Sequence, residues 1–367
     1  MKRALVAALA LPALVIALEA GVRIFDLGPE RTTGTTPDLF VAHPTRGYAL
    51  RAGFSGTSVE SGEALEIDSL GLRRRPRAAP PDATRVLALG DGQTFGLGVE
   101  AHEAWPAVTE DLLTAAGRSI EFVNAGAPGY HARQSVDQLR ELLPLLEPDL
   151  VLWAIYPGND VAALWNERPR RVVAGLLVED GAAWSTARTW LHRHSRAWRA
   201  LVEPRGGGEP TDEAERRASI EAAMDWDIAF AFALAEKPAP EGVEEAWSRF
   251  EAALTDARAA CAEHGVALEL IVLPAAVQVD PLIWREIHDR LRLDPAAYDL
   301  DRPLERLRAL ARAAELTVHD PSERLAAWAE ASRAARMVPY DGFLLSRWGQ
   351  RLVAQALAES MVQQGSL

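Results

Sequence analysis

Four short stretches of this sequence gather most of the residues fit for chemistry. Gly90 to Gly96 reads G-D-G-Q-T-F-G and supplies a carboxylate, Asp91, and a hydroxyl, Thr94. Asn124 to Gly129 reads N-A-G-A-P-G, with His131 just beyond it. Gly158 to Asp160 reads G-N-D, an amide beside a carboxylate. Asp341 to Gly349 reads D-G-F-L-L-S-R-W-G, and a second imidazole stands in the pair His319-Asp320. A hydroxyl attacks a carbonyl carbon once a base has taken its proton, and amide and backbone N–H groups hold the charge that develops. Thr94, His131 and His319 are the groups that could supply attack and proton transfer. Each also has a plainer role, as a hydroxyl in the first turn after a strand or as a surface or internally satisfied imidazole.

The elements that must position these residues follow from hydrophobic patterning. Apolar runs bounded by turn residues predict strands near Val86–Leu89, Glu121–Val123, Leu150–Ile155, Leu268–Leu273 and Leu316–Val318. Helical spacing predicts helices over Glu103–Ala116, Arg133–Leu146, Val243–His264, Pro303–Ala314, Ser322–Arg333 and Ser346–Val362. Short, wholly apolar strands are buried on both faces, and strand–helix alternation gives a parallel sheet between two helical layers. Ligands of such sheets bind beyond the carboxyl ends of the strands. Three of the four stretches directly follow a predicted strand, so one rule gathers them at one edge.

With these elements in place, the stretches resemble the conserved blocks of the SGNH/GDSL hydrolases. The strand ending in G-D-G-Q-T-F-G is similar to the first block, N-A-G-A-P-G to the second, G-N-D to the third and D-G-F-L-L-S-R-W-G to the last. They occur in the family's order between Arg85 and about Ala358. The resemblance implies a three-layer α/β/α fold with a five-stranded parallel, flavodoxin-like sheet. It also implies ester or O-acyl substrates, free or carried on a polysaccharide, for the active relatives, and no cofactor or metal.

The resemblance assigns roles residue by residue. The nucleophilic Ser of the family falls on Gly92, which has no side chain. Its catalytic His falls on Leu344, counting back from Gly349, or on Phe343 if the Asp-Gly pair sets the alignment. Asp341 keeps the acid position. The oxyanion donors fall on the Gly92 and Gly129 N–H groups and the Asn159 side chain. Asp91, Thr94, Asn124, Gly126 and Asp160 complete the blocks. Loss of one member of such a triad typically costs about 10⁴ to 10⁶ in rate, and a second loss adds little. Three readings stand: a hydrolase fold that has lost hydrolysis and keeps acyl or glycan binding, an active esterase or acyltransferase with a displaced nucleophile such as Thr94, and a scaffolding protein of an envelope assembly. Without its His, Asp341 needs another partner, for which Arg347 or Arg351 is placed.

Composition bounds the rest. The chain has 367 residues, 49% hydrophobic, enough for one large α/β domain with an insertion or for two small ones. A net charge of −13 excludes nucleic acid as a partner, and the Arg73–Arg75 cluster reads as part of a solvated surface. The single cysteine, Cys261, excludes an intrachain disulfide and falls in a helical pattern that predicts burial. No Cys/His cluster has metal-ligand spacing.

Lys2 and Arg3 precede an apolar run from Ala4 to Leu18, closed by Glu19. That run is shorter than the roughly 20 residues of a full span and fits the core of a secretory signal. The alternative is an uncleaved anchor continuing to Phe25; cleavage after Ala20 is disfavoured by bulky Leu18. Either way the N-terminal charges keep that end inside and send the rest across the membrane. The expected organisation is residues 1–25 as signal or anchor, 26–84 as a β-rich segment and linker, and 85–362 as the hydrolase-like domain with an insertion at 161–242. Glu66 to Arg75, E-I-D-S-L-G-L-R-R-R, resembles a segment ahead of the catalytic domain in membrane-anchored bacterial members of the family. The insertion carries five of the eleven tryptophans, which either bury it or form a glycan-binding lid, and a Gly206–Gly208 loop.

Overall fold

The computed structural model describes residues 17–24, 36–59, 61–74, 78–165, 169–179, 186–198, 234–332, 340–341 and 344–366. They divide into two compact units. One comprises Met1–Arg51, Thr57–Gly62 and Pro169–Glu209; the other comprises Ala52–Gly56, Glu63–Arg168 and Pro210–Leu367.

In the smaller unit, residues 17–24 form helix α1. Strands β1 (Phe40–His43) and β2 (Gly47–Leu50) pair as an antiparallel hairpin, with Phe40 edge-on to Tyr48 at 5.4 Å. Two further short strands, β3 (Ser55–Thr57) and β4 (Ala64–Glu66), come later in the chain.

The larger unit is built on a five-stranded parallel sheet. Its strands are β5 (Thr84–Gly90), β6 (Ile120–Gly126), β7 (Leu150–Ile155), β10 (Ala267–Val272) and β11 (Thr317–His319). Between β7 and β10 the smaller unit contributes the hairpin of β8 (Arg170–Val173) and β9 (Leu176–Glu179). The spatial order is β11-β10-β7-β5-β6. Counted by appearance in the sheet, that is 5-4-3-1-2, the flavodoxin-like order whose switch point lies between its first and third strands. Here those strands are β5 and β7, so the crevice opens where Asp91 and Pro157 leave the sheet.

Alternation sorts the strand residues onto two faces. Leu87, Leu89, Trp153, Leu270 and Val272 pack on one side under α4 (Ala132–Leu146), α8 (Val243–Glu263) and α11 (Arg302–Ala313). Val86, Ala88, Leu152, Ala154 and Ile271 pack on the other under α3 (Trp105–Ala115), α12 (Ser322–Ser332) and α13 (Arg347–Gln364). Both faces are therefore dry, which a parallel sheet requires. Short helices α2 (Gly92–Phe95), α5 (Pro157–Asp160), α6 (Ala162–Trp165) and α9 (Ala276–Val279) follow strand ends. Helix α7 (Thr186–His194) lies in the smaller unit and α10 (Pro281–Leu291) in the larger.

The five predicted core strands and six predicted helices are present, with Arg333 outside the described residues. Sequence patterning did not predict α10, although Asp280 caps it through the Leu282 N–H at 2.9 Å and Pro281 opens it. Of the insertion's tryptophans, Trp165 donates to the Glu241 carbonyl at 2.6 Å and Trp190 stands 54% exposed beside His194. Trp184, Trp226 and the Gly206–Gly208 loop lie outside the described residues. Cys261 is buried in the core, and burial pushes its thiol up to about 12, so it is inert. No helix among the described residues is long and apolar enough to cross a membrane, and residues 1–16 lie outside them.

Candidate functional site

Strand β5 ends at Gly90, and the chain turns at once into α2. Asp91 makes that turn: its Oδ1 accepts the Gln93 N–H at 2.8 Å, capping the helix. The carboxyl is buried, and burial pushes it up to about 6 against the pull of the Gln93 N–H and the Asn159 amide.

The second block is sewn to the first. Asn124 donates through Nδ2 to the Thr94 carbonyl at 2.9 Å and accepts the Gly126 N–H at 2.9 Å. The Ala127 N–H reaches the Gly90 carbonyl at 3.0 Å. A Cβ on Gly126 would overlap the Phe95 backbone nitrogen, so only glycine lets β6 approach α2 this closely. Gly129 has φ +76°, the left-handed conformation that turns the chain toward α4.

The third block closes the crevice. Asp160 accepts the Tyr156 N–H at 2.8 Å. Asn159 is fully buried and directs Nδ2 to Asp91 Oδ2 at 3.1 Å and to the Tyr130 carbonyl at 2.7 Å. Both neighbours accept only, so the nitrogen must face them. Two hydrogens serve two acceptors, and the amide that the family resemblance assigns to an oxyanion is engaged within the protein. Asn159 Oδ1 is buried with no hydrogen-bond partner.

Position 92 is buried but has room for a Cβ. A Cβ built there would meet Pro128 Cα at 3.7 Å and Leu97 Cβ at 3.9 Å, ordinary contact distances. The last block approaches through β12 (Tyr340–Asp341) and β13 (Leu344–Leu345), in which Asp341 pairs with Leu344. Leu344 is half-buried, with Cδ1 3.8 Å from where a Gly98 Cβ would stand. The Asp341 side chain and Phe343 lie outside the described residues, so the expected pairing with Arg347 or Arg351 does too.

Three residues that hold this corner were not singled out from sequence. Gln93 accepts the Leu345 N–H on Oε1 at 2.8 Å, joining the first block to the last. Gln350 donates to the Gln93 carbonyl at 3.1 Å and accepts the Trp105 N–H at 2.8 Å. Arg73, read from sequence as solvated, is instead only 2% exposed. Its guanidinium donates to the carbonyls of Phe95 and Val99, each at 2.6 Å, and to that of Gly96, and lies 4.6 Å from the Phe95 ring centre. Burial lowers it to about 10, opposed by Glu63 and Glu100. The sequence signal was weak: an Arg after the G-L of a β-rich segment, inside a run of three.

The remaining candidates are held by other contacts. Thr94 Oγ1 is fully buried, packed against Gly90, and has no hydrogen-bond partner, hence no base. His131 caps the start of α4 and donates its N–H to Gln134 Oε1 at 3.2 Å. His319, on edge strand β11, bonds Ser360 and Glu269, three strands from β5 and about 14 Å away at the usual strand spacing. No group of three or more His, Cys, Asp or Glu among the described residues could hold a metal.

No protein-family model matches the chain, and no curated protein matches it. Solved structures do. A lipolytic protein of the G-D-S-L family from Veillonella parvula is 13% identical with a TM-score of 0.41, over 77% of this chain and 100% of that one. A psychrotrophic esterase from a Pseudoalteromonas species is 11% identical with a TM-score of 0.39, over 77% and 100%. An acetyl xylan esterase is 14% identical with a TM-score of 0.39, over 75% and 98%.

Proposed function

We propose that this chain is an SGNH/GDSL-type protein of the cell envelope whose strand-end site has lost ester hydrolysis and keeps the binding of a small acyl group, free or carried on a glycan. Four blocks in family order carry the family reading, and the flavodoxin-like sheet with its switch point at β5 and β7 supports it. The observation that carries the loss is Gly92: the position that leads out of β5 has room for a side chain and has none. Among the described residues, Thr94 has no base and Leu344 brings only carbon to the last block. Turnover by acyl transfer needs an attacking atom and a proton acceptor together. Backbone N–H groups at Gly92 and Gly129 are the donors left for an acyl oxygen, since Asn159 is engaged.

An N-terminal membrane anchor facing the extracytoplasmic side completes the reading. The Glu19 carboxylate in α1 accepts the N–H groups of Arg196 at 2.9 Å and Ala197 at 3.0 Å, and the Ser195 hydroxyl at 2.8 Å. Cutting after Ala20 would discard that carboxylate, which favours the uncleaved form.

The test is to rebuild the lost pair. Gly92→Ser together with Leu344→His is assayed with p-nitrophenyl acetate, and a fluorophosphonate adduct is mapped by mass spectrometry. Turnover with an adduct at position 92, absent from either single variant, supports the proposal. An adduct on Thr94 of the unaltered chain overturns it.

A further inference from the structure

The edge of the sheet farthest from β6 holds a group of side chains that the strand-end site does not use. His319 ends β11 and is buried, its side chain 2% exposed. Its Nε2 lies 2.7 Å from Glu269 Oε2, on the neighbouring strand β10. Its Nδ1 lies 2.8 Å from Ser360 Oγ, on α13, the helix that covers this face. Gln364, one turn further along α13, directs Nε2 to the same hydroxyl at 2.8 Å and to the Val318 carbonyl at 3.2 Å.

One tautomer makes this chain a nucleophile with its base. In it the imidazole proton sits on Nε2, facing Glu269, and Nδ1 presents a lone pair to which the Ser360 hydroxyl donates. The Gln364 amide can only donate, so it fills an acceptor site on Ser360 Oγ. That arrangement is a polarised hydroxyl on an imidazole steadied by a carboxylate, with the carboxylate on Nε2 and the hydroxyl on Nδ1. Ser360 is half-buried, and Gln364, whose amide rests on its hydroxyl, is exposed.

We propose that Ser360, His319 and Glu269 form a second nucleophilic site that hydrolyses small acyl esters. Ser360 Oγ attacks the ester carbonyl carbon as its proton passes to His319 Nδ1. The tetrahedral intermediate collapses by breaking the ester C–O bond, and the alcohol leaves with the proton from Nδ1. Water then attacks the acyl-serine, giving one proton to Nδ1. Release of the acid returns that proton to Ser360. Glu269 keeps the ring in the reactive tautomer and stabilises the imidazolium. Only small acyl groups reach a half-buried hydroxyl. Ser360 sits mid-helix, where its own N–H is bonded within α13, and both Gln364 Nε2 hydrogens are engaged, so the developing oxyanion has no preset donor among these groups and turnover is slow.

The test uses the intact chain, a fluorophosphonate probe and peptide mapping, which separates this site from positions 92 and 94. The proposal predicts an adduct on Ser360 and its loss in Ser360→Ala. Glu269→Gln keeps the shape but not the charge and slows labelling about 10²-fold, the scale of lost general-base assistance. In Ser360→Cys, iodoacetamide should modify the new thiol well before buried Cys261. Three results overturn the proposal and leave the trio as a clamp between β11 and α13. They are a folded protein with no adduct on Ser360, labelling unchanged in Glu269→Gln, and a thiol in Ser360→Cys no faster than Cys261.

Discussion

At the end of β5 the structure keeps a tight frame of hydrogen bonds around position 92 and no attacking atom within it. At the edge strand β11 it keeps a hydroxyl, an imidazole and a carboxylate in line and no pair of backbone donors around them. The two regions share one sheet, and under the two proposals they divide the requirements of acyl transfer between them. The difference lies in how each is held. The β5 corner is fixed by short-range turns plus a buried Arg73, so its shape survives without a serine. The β11 trio is held by the side chains themselves, so changing one loosens the rest.

The largest effect of any single substitution is expected at the frame. Arg73→Ala leaves the carbonyls of Phe95, Gly96 and Val99 without their donor and removes a cation that attracts the buried Glu63. Urea unfolding should show a loss of about 3–5 kcal/mol, the usual result of breaking a buried charged network. A loss under about 1 kcal/mol would mean that the frame does not depend on Arg73.

Asp91 gives a smaller effect with a pH signature. Its carboxyl is raised from an ordinary value near 3.8 to about 6, first by burial. The folded state therefore binds the proton more tightly than the unfolded state. The stability due to the neutral form is complete below about pH 4 and is lost as pH rises through 6. Asp91→Asn removes that loss and can still cap α2. Its Tm relative to the unaltered chain should rise between pH 4 and pH 7, and a difference that is flat or falls over that range would contradict the burial argument.

At the edge, Ser360→Ala should cost only about 1 kcal/mol in stability, one hydrogen bond's net worth, while abolishing probe labelling. A large stability loss with labelling intact would invert the comparison between the two regions. The smallest effect belongs to Glu19. Burial there raises the carboxyl, but the N–H groups of Ala197 and Arg196, then Ser195 and Arg23, outweigh it and hold it at about 2. Its contribution is present above about pH 4.5 and fades as pH falls toward 2, and Glu19→Gln should remove this dependence with a change of about 1 kcal/mol or less. Hydrogen exchange at the amides of Arg196 and Ala197 would register it.

Much of this fold was legible in the sequence because burial writes itself into local pattern. Val86–Leu89 and Leu150–Ile155 are unbroken apolar runs, and a strand covered on both faces can be little else. Three of the four blocks were legible for the same reason, as turn residues at the ends of such runs. What could not be read depends on long-range partners. Arg73 sits in a run of three arginines and is buried only because three carbonyls of the α2 turn, 22 to 26 residues away, need donors. The partners of His319 lie 41 and 50 residues away on a helix and a neighbouring strand. The engagement of Asn159 by Asp91 and Tyr130 depends on which acceptors the fold brings within reach, which no local spacing encodes.

The central claim is that the β5 corner is an acyl-transfer site without its reacting atoms. The most direct measurement is p-nitrophenyl acetate turnover in a Ser360→Ala background, where the edge trio contributes nothing. No turnover above buffer is expected in that background, and a gain of at least about 10³-fold when Gly92→Ser and Leu344→His are added together, the scale of a recovered triad. Ordinary enzymatic turnover in the Ser360→Ala chain with Gly92 and Leu344 unchanged would contradict it.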